Sequence, residues 1–223
     1  MSRFFIELKY DGTNYHGWQI QKNARSVQEE INKAFSTILQ EEIITIGAGR
    51  TDAGVHAQQL FAHFDSNQNF DTEKTRFKIN AFLPDDVACV AIKKVTADAH
   101  ARFSAVSRTY HYCISPKKDP FLQNKAYYFP HPLSIVLMNN AAKILLEHTD
   151  FSCFSKSKTD TFTNDCCITF AHWEQKNDNI VFTITANRFL RNMVRAIVGT
   201  LVDVGLGKIS KDEFRKIIES KNR

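Results

Sequence analysis

The chain has 223 residues, of which 43% are hydrophobic and 24% are charged, and its formal net charge is +5. This composition is ordinary for a soluble globular protein, and the length suffices for one large domain or two small ones. The longest apolar runs are much shorter than a membrane span, and the N-terminal residues lack the pattern of a signal peptide. The mild positive charge is compatible with a polyanionic partner but does not by itself indicate one.

The cysteines and histidines give no sign of a disulfide framework or a metal site. Five cysteines are present, and Cys166 and Cys167 are adjacent rather than spaced as C-x-x-C. The eight histidines show neither H-x-x-x-H nor H-E-x-x-H spacing. We therefore expect reduced thiols, a cytoplasmic location and no metal. The glycine motifs that cradle phosphates are also missing.

The first half of the chain reads as strand, helix, strand, strand, helix, strand. Apolar residues alternate over 4–10, as in a strand, and Ser26 and Glu29 form a capping box before an amphipathic helical pattern. The remaining predictions are strands over 43–46 and 60–64, a helix over 72–82 and a strand over 87–95. This order favours a split β-α-β unit, an antiparallel sheet with helices on one face.

A similar order of elements follows in the second half, without a repeat at the level of residues. The predicted elements are a strand over 107–115, a helix over 133–146, strands over 168–173 and 180–186, a long helix over 189–204, and a short helix capped by Ser210 and Glu213. Helical spacing over 133–146 predicts that it buries Ile135, Met138, Ala142, Leu145 and Leu146. We therefore predict two α+β domains, residues 1–104 and 105–223, with a ligand cleft between them.

The segment 47–57, GAGRTDAGVHA, is the first candidate for a functional site. Its three glycines allow bent or left-handed backbone and leave room for a ligand near the main chain. Arg50 and Asp52 are two positions apart, so on an extended segment they face the same side. Taken alone, the segment fits a plain hairpin loop, with Asp52 bonding its own turn, at least as well.

The loop over 11–25 carries rings and amides that could contact a nucleic acid. Tyr15, His16, Trp18, Gln19 and Gln21 lie on it, and such groups stack on bases or bond their edges. A loop whose rings pin it to the core is an equally common arrangement.

Arginines cluster near the predicted long helix. Arg188, Arg191 and Arg195 are spaced i, i+3, i+7, which predicts one helix face, and a nearby anion would offset their unfavourable position at a helix N-terminus. Arg195 lies in a more apolar stretch and is expected to pair with a carboxylate, for which Asp52 is the candidate. The other two fit a solvated basic face equally well.

Further arginines stand beside aromatic residues at the end of the first half. Arg102 precedes Phe103, and Arg108 precedes Tyr110 on a predicted strand. A strand tyrosine such as Tyr110 can stack on a base or lend its hydroxyl, although it more often serves in packing.

Taken together, these segments resemble the tRNA pseudouridine synthase A family over nearly the whole chain. The signature match is Gly49-Arg50-Thr51-Asp52-Ala53-Gly54-Val55-His56-Ala57. Supporting matches follow in family order: Tyr10-Asp11-Gly12, Gly17-Trp18-Gln19-Ile20-Gln21, Ser26-Val27-Gln28, Asn80 with Leu83-Pro84, Ala101-Arg102-Phe103-Ser104-Ala105, Arg108-Thr109-Tyr110-His111-Tyr112, and Ala186-Asn187 with Phe189-Leu190, Met193-Val194-Arg195 and Val198-Gly199-Thr200.

The resemblance implies the pseudouridine synthase fold, two α+β domains with a catalytic cleft between them. It implies a homodimer that isomerises uridine to pseudouridine in the anticodon stem-loop of tRNA, at tRNA positions 38, 39 and 40. No cofactor is implied, because the reaction only moves a glycosidic bond from N1 to C5 of the same base. A silent RNA-binding module on the same scaffold, or a synthase acting on other RNA positions, stays open as an alternative.

Residue roles carry over to matching positions. Asp52 corresponds to the nucleophile, Arg195 to its ion-pair partner, and Tyr110 to the residue that stacks on or bonds the flipped base. The expected RNA contacts are Arg50, Arg102, Arg108, Arg188 and Arg191.

The sequence departs from the family pattern at two places. Family members usually continue past the last helix into a short segment ending in a strand, whereas this sequence ends at Arg223, which affects only the expected edge of the C-terminal sheet. A basic residue that is common before Ile168 is replaced by cysteine, at Cys166 or Cys167, so one RNA contact is expected to be lost.

Overall fold

The computed structural model describes residues 1–155 and 163–222. The chain folds into two compact units, Met1–Ala105 and Val106–Arg223, each with a sheet and helices. This confirms the predicted α+β class. Within the described ranges, none of the helices has the length and apolarity that crossing a bilayer requires.

The first unit contains a sheet in the order β2-β3-β1-β4, with all neighbouring pairs antiparallel. Its elements are β1 (Ser2–Tyr10), α1 (Val27–Leu39), β2 (Ile46–Gly47), β3 (Ala57–Ser66), α2 (Thr72–Phe82) and β4 (Val87–Val95). Alternate residues of β1 are buried with the apolar sides of α1 and α2, as its period-2 pattern predicts. The Ser26 hydroxyl caps α1 by accepting a hydrogen bond from the Glu29 amide.

The strand predicted over 43–46 is wrong except at its last residue, because β2 comprises only Ile46–Gly47. Side chains of α1 take the place of a strand partner for the preceding residues. Asn32 accepts from the Thr45 amide at 3.0 Å, and Ser36 accepts from the Ile43 amide at 2.8 Å. These bonds satisfy the backbone without a ladder, so no strand is needed there.

The second unit contains a sheet in the order β6-β5-β8-β7. Its elements are β5 (Arg108–Ser115), β6 (Tyr127–Tyr128), α3 (Ile135–Ala142), β7 (Ile168–Lys176), β8 (Asn179–Ala186), α4 (Met193–Gly205) and α5 (Lys211–Glu219). β5, β8 and β7 pair antiparallel as predicted, whereas the two-residue β6 runs parallel to β5. Helices α3, α4 and α5 share one apolar core with the sheet, and the predicted capping box of Ser210 and Glu213 is present at α5.

Two helix predictions in this unit need correction. α3 passes into a 3-10 helix at Lys143–Glu147, so Leu146 is 46% exposed rather than buried, because three residues per turn rotate it away from the α-helical apolar face. Ile135 is only partly buried. The helix predicted from residue 189 begins at Met193, since Asn192 adopts a left-handed conformation, φ 62°, that a continuous α-helix cannot contain.

Candidate active site

The loop carrying Asp52 is a turn between β2 and β3 that the loop after β1 holds in place. The Val55 amide donates to the Asp52 carbonyl at 3.2 Å, and Gly54 at the turn has φ +75°. From the neighbouring loop, the Tyr15 carbonyl accepts from the Gly54 amide at 3.1 Å, and the Trp18 amide donates to the Thr51 carbonyl at 3.4 Å. The backbone on both sides of Asp52 is therefore fixed by a second segment.

Two glycines allow the close approach of these segments. A Cβ atom on Gly12 would lie 2.0 Å from the Val55 carbonyl oxygen, and one on Gly17 would lie 2.1 Å from that of Thr51. Both positions belong to the loop after β1, so any side chain there would push it away from the Asp52 turn. The sequence did not indicate this close approach for either glycine, although both lie in segments that resemble the family.

Side chains reinforce the backbone contacts. The Tyr10 and Thr51 hydroxyls lie 3.0 Å apart in a hydrogen bond. Nδ1 of His56 accepts from the Gly12 amide at 3.1 Å, while the Asp11 carboxylate lies 3.0 Å from the same atom. Residues on both sides of Asp52 are thus tied to the end of β1.

Asp52 itself is half-buried, and Arg50, two residues earlier, is exposed. A Cβ atom at Gly49 or Gly54 would meet no other atom of the described residues within 4 Å. A half-buried carboxylate on a fixed turn with open space at the adjoining glycines can reach a bound ligand without moving the loop. This arrangement suits nucleophilic or acid–base chemistry.

Tyr15 and Trp18 of the loop over 11–25 pack inward, so of the two arrangements that the sequence left open, the structure has the one in which rings pin the loop to the core. Tyr15 and Trp18 are only 2% and 1% exposed. The Tyr15 hydroxyl donates to Asp86, and the Arg25 guanidinium lies over the Tyr15 ring, 4.8 Å from its centroid. These rings therefore anchor the loop that holds the Asp52 turn, while His16, Gln19 and Gln21 remain exposed.

Tyr110 lies on β5, on the sheet face that carries the helices. It is opposite the buried Ile184 and is itself half-buried. The Phe189 ring packs against it edge-on, with centroids 5.1 Å apart and planes at 85°. Phe189 therefore fixes the Tyr110 ring, a role that the sequence did not indicate.

Arg195 occupies the first turn of α4 and is exposed, although it lies in an apolar stretch of the sequence. It borders a groove of about 590 Å³ within the second unit. Burial raises the pKa of Tyr112, another residue of this groove, and the nearby Arg195 guanidinium opposes that shift. The other residues that line the groove are Tyr127, Phe129, His131, Val198, Gly199, Val202, Asp203, Leu206 and Lys208.

The prediction that Arg188, Arg191 and Arg195 share one helix face is wrong, because the first two precede α4. Arg191 is exposed and Arg188 is half-buried. Arg108 is half-buried as well and donates to the Asn187 carbonyl at 2.7 Å, which ties β5 to this segment. The exposed Arg102 stands 5.6 Å from the Phe103 ring centroid in the first unit.

Comparison with known proteins identifies the family. A family model described as tRNA pseudouridine synthase matches residues 8–104 and 141–223. The curated tRNA pseudouridine synthase A of Bacteroides fragilis is 52% identical over 100% of this chain and 89% of its own length. Those of Bacteroides thetaiotaomicron and a Thermoanaerobacter species are 51% and 45% identical over the whole chain, which covers 84% and 92% of their lengths.

This chain belongs to the tRNA pseudouridine synthase family. The family resemblance that the sequence suggested is thereby confirmed. Asp52 and Arg195 lie within the matched segments of the family model, whereas Arg108 and Tyr110 lie between them. Both of the latter fall inside the alignments with the full-length synthases, which span the entire chain.

Two adjacent cysteines precede β7, where a basic residue is expected from the family pattern, and they differ in exposure. Cys166 is buried, and burial raises the pKa of its thiol to about 11. Cys167 is exposed, and its amide donates to the Asn187 side chain at 2.8 Å. Position 167 is therefore the one of the two at which a basic side chain would reach solvent.

Among the described residues, no group of three or more His, Cys, Asp and Glu side chains is placed to hold a metal ion.

Proposed function

We propose that this protein isomerises uridine to pseudouridine in the anticodon stem-loop of tRNA, at tRNA positions 38, 39 and 40, with Asp52 as the nucleophile. The observation that carries the proposal is the half-buried carboxylate on a turn fixed from both sides, in a chain of the tRNA pseudouridine synthase family. The relatives named above are tRNA pseudouridine synthases A, which supports tRNA as the substrate.

In the proposed reaction, the Asp52 carboxylate attacks C1′ of the target nucleotide as the N1–C1′ bond breaks. The detached uracil turns within the site, and C5 then attacks C1′ and displaces the carboxylate. C5 loses its proton, and N1 gains one, so the product is an isomer of the substrate. A carboxylate that forms and then releases a bond to a sugar carbon is familiar from glycoside chemistry.

Arg195 is proposed to face Asp52 and favour its ionised form, which the attack requires. Its exposure in the first turn of α4, beside the aromatic groove, supports a role toward a ligand rather than in the core. Tyr110 is proposed to stack on the extruded base or to bond its edge. The edge-on packing of Phe189 supports this, because it holds the Tyr110 ring in one orientation.

The target uridine must leave its stack before C1′ can be reached. Arg50, exposed beside Asp52, is proposed to hold the RNA backbone or to fill the vacated space. Arg102, Arg108, Arg188 and Arg191 are proposed to contact phosphates. We further propose that the protein acts in the cytoplasm as a homodimer whose two subunits contact one tRNA.

A mass-label assay tests the function directly. The purified protein is incubated with an unmodified tRNA transcript, which contains uridine but no pseudouridine, and a reagent that adds mass to pseudouridine alone then locates the product. We expect label at positions 38 to 40, wherever these are uridine, and none elsewhere. As a matched control, a transcript with cytidine at these positions should gain no label.

Two results would overturn the proposal in different ways. Binding of the transcript without any pseudouridine would indicate a silent RNA-binding module. Label confined to other positions would indicate a synthase with a different target.

A further inference from the structure

We infer that the hydrogen bond between the Tyr10 and Thr51 hydroxyls positions Asp52 for attack, so that Tyr10 is a positioning residue of the reaction. This inference rests on the proposed function, because it assigns a further residue to the same site. It concerns contacts within the first unit alone.

Tyr10 is the last residue of β1 and lies between two neighbouring strands that both pair with it. Its backbone is in register with Ala57 of β3 and Val87 of β4. Its ring is buried and lies 6.5 Å from that of Trp18, centroid to centroid. The sheet therefore gives the Tyr10 hydroxyl a fixed position, from which it reaches the Thr51 hydroxyl at 3.0 Å.

Thr51 is restrained at two separate atoms. Its side-chain hydroxyl meets Tyr10, and its carbonyl oxygen accepts from the Trp18 amide at 3.4 Å. The carbonyl belongs to the peptide unit that leads into Asp52, and a peptide unit is planar. Restraints on both the side chain and the carbonyl of Thr51 therefore fix the orientation of the peptide plane between Thr51 and Asp52.

Further restraints lie on the other side of Asp52. The Gly54 amide is bound by Tyr15, and the turn closes through the bond between Val55 and Asp52. At Thr51 itself, the Trp18 amide bond is 3.4 Å long and the Tyr10 hydroxyl bond is 3.0 Å long, so the Tyr10 hydroxyl is the closer of these two restraints. Loss of this hydroxyl is expected to loosen that side of the turn selectively.

Positioning of a nucleophile acts on the chemical step rather than on binding. A displacement of about 1 Å at a reacting group is enough to lower the rate by up to about a hundredfold. We expect Tyr10→Phe and Thr51→Val each to lower kcat about tenfold or more, with KM for tRNA within about twofold, since neither hydroxyl is proposed to touch RNA. Thr51→Ser keeps the hydroxyl and should retain nearly full activity.

The experiment compares kcat and KM for pseudouridine formation with amide hydrogen exchange of the peptide 47–57. Tyr10→Phe, Thr51→Val and the double variant should share the same loss of kcat, because each removes the same hydrogen bond. The peptide 47–57 should exchange faster in all three and at the wild-type rate in Thr51→Ser. Tyr128→Phe removes the hydroxyl of an exposed tyrosine in the second unit and serves as the control for loss of a phenol hydroxyl.

The inference would be overturned if the fold losses of kcat in the two single variants multiplied in the double variant. It would also be overturned if Tyr10→Phe kept both the wild-type kcat and the wild-type exchange rate of the peptide 47–57. If the wild-type protein forms no pseudouridine in any tRNA, the proposed function fails. The exchange rates then still decide whether the two hydroxyls hold the Asp52 turn.

Discussion

A Cβ atom on Gly17 would lie 2.1 Å from the carbonyl oxygen of Thr51, well inside contact distance. Gly17 also has φ +90°, a conformation that residues with a side chain rarely adopt. Because the neighbouring Trp18 amide bonds the same carbonyl, the close approach and the hydrogen bond depend on each other. Glycine is therefore required at position 17 both by the left-handed backbone of its own loop and by the close approach to the Asp52 turn.

Gly17→Ala is predicted to destabilise the first unit by about 2 to 4 kcal/mol, from a left-handed backbone and an added methyl without space. The midpoint of urea denaturation, followed by circular dichroism, measures the loss. Gly49→Ala is the matched control, because a Cβ atom there meets nothing within 4 Å among the described residues. Equal midpoints for the two variants would contradict the proposed role of Gly17.

Arg195→Met is predicted to lower kcat by about a hundredfold or more, because the charge that is proposed to favour the ionised Asp52 is lost. The affinity for tRNA should change much less, and Arg195→Lys should recover part of the rate by restoring the charge. Single-turnover kinetics and filter binding measure the two quantities. Arg215→Met removes an arginine of α5 that pairs with Glu147 at 2.7 Å and should leave kcat unchanged.

Arg191→Ala is predicted to weaken tRNA binding while kcat stays the same. The slope of the logarithm of the tRNA association constant against the logarithm of salt concentration should become smaller in magnitude by about one. Arg191 is exposed just before α4 and is proposed to contact a phosphate. Titrations at several salt concentrations measure the slope. Arg76→Ala is the control, since Arg76 pairs with Glu73 on α2, and a slope change of the same size there would point to a general charge effect.

His63 gives the first unit a predicted dependence on pH. Burial lowers the pKa of His63, and so do electrostatic interactions with His100 and Arg3, while Asp65 opposes them. The neutral ring accepts a hydrogen bond from the Ala101 amide at 3.2 Å through Nδ1, which imidazolium cannot do.

The sign follows from proton uptake. Below the ordinary pKa of 6.5 the unfolded chain binds a proton at His63 that the folded protein does not. Stability is therefore complete above that pH and falls as the pH drops from 6.5 through the lowered pKa. Unfolding free energies at a series of pH values should show a shallower fall in His63→Gln than in the wild type. His111→Gln, at an exposed histidine, should keep the wild-type fall.

Most of the fold was predictable where local patterns agree with tertiary packing. The alternation over β1 and the helical spacing over α1 predict the correct elements, because each buries one face. The failures have tertiary causes. The side chains of Asn32 and Ser36 accept hydrogen bonds from backbone amides that a strand over 43–46 would have paired with another strand. Asn192 has a left-handed backbone, so α4 begins only after it.

The site was predictable to the extent that it lies in one segment. The glycines and the two charged residues of 47–57 lie close together in the chain, so the sequence marks this segment as a candidate, and the family resemblance favours a site there over a plain hairpin loop. The partners of that turn were not predictable, because Tyr10 meets Thr51 across 41 positions of the chain and the pairing depends on how the strands register. The pairing of Asp52 with Arg195 stays a prediction.

The most direct test of the account replaces the Asp52 carboxylate alone. Asp52→Asn keeps the shape of the side chain and should leave the turn, the stability and the binding of tRNA intact. We predict that this variant binds tRNA with an affinity close to that of the wild type and forms no pseudouridine over many wild-type turnover times. Measurable pseudouridine formation by Asp52→Asn would contradict the assignment of Asp52 as the nucleophile.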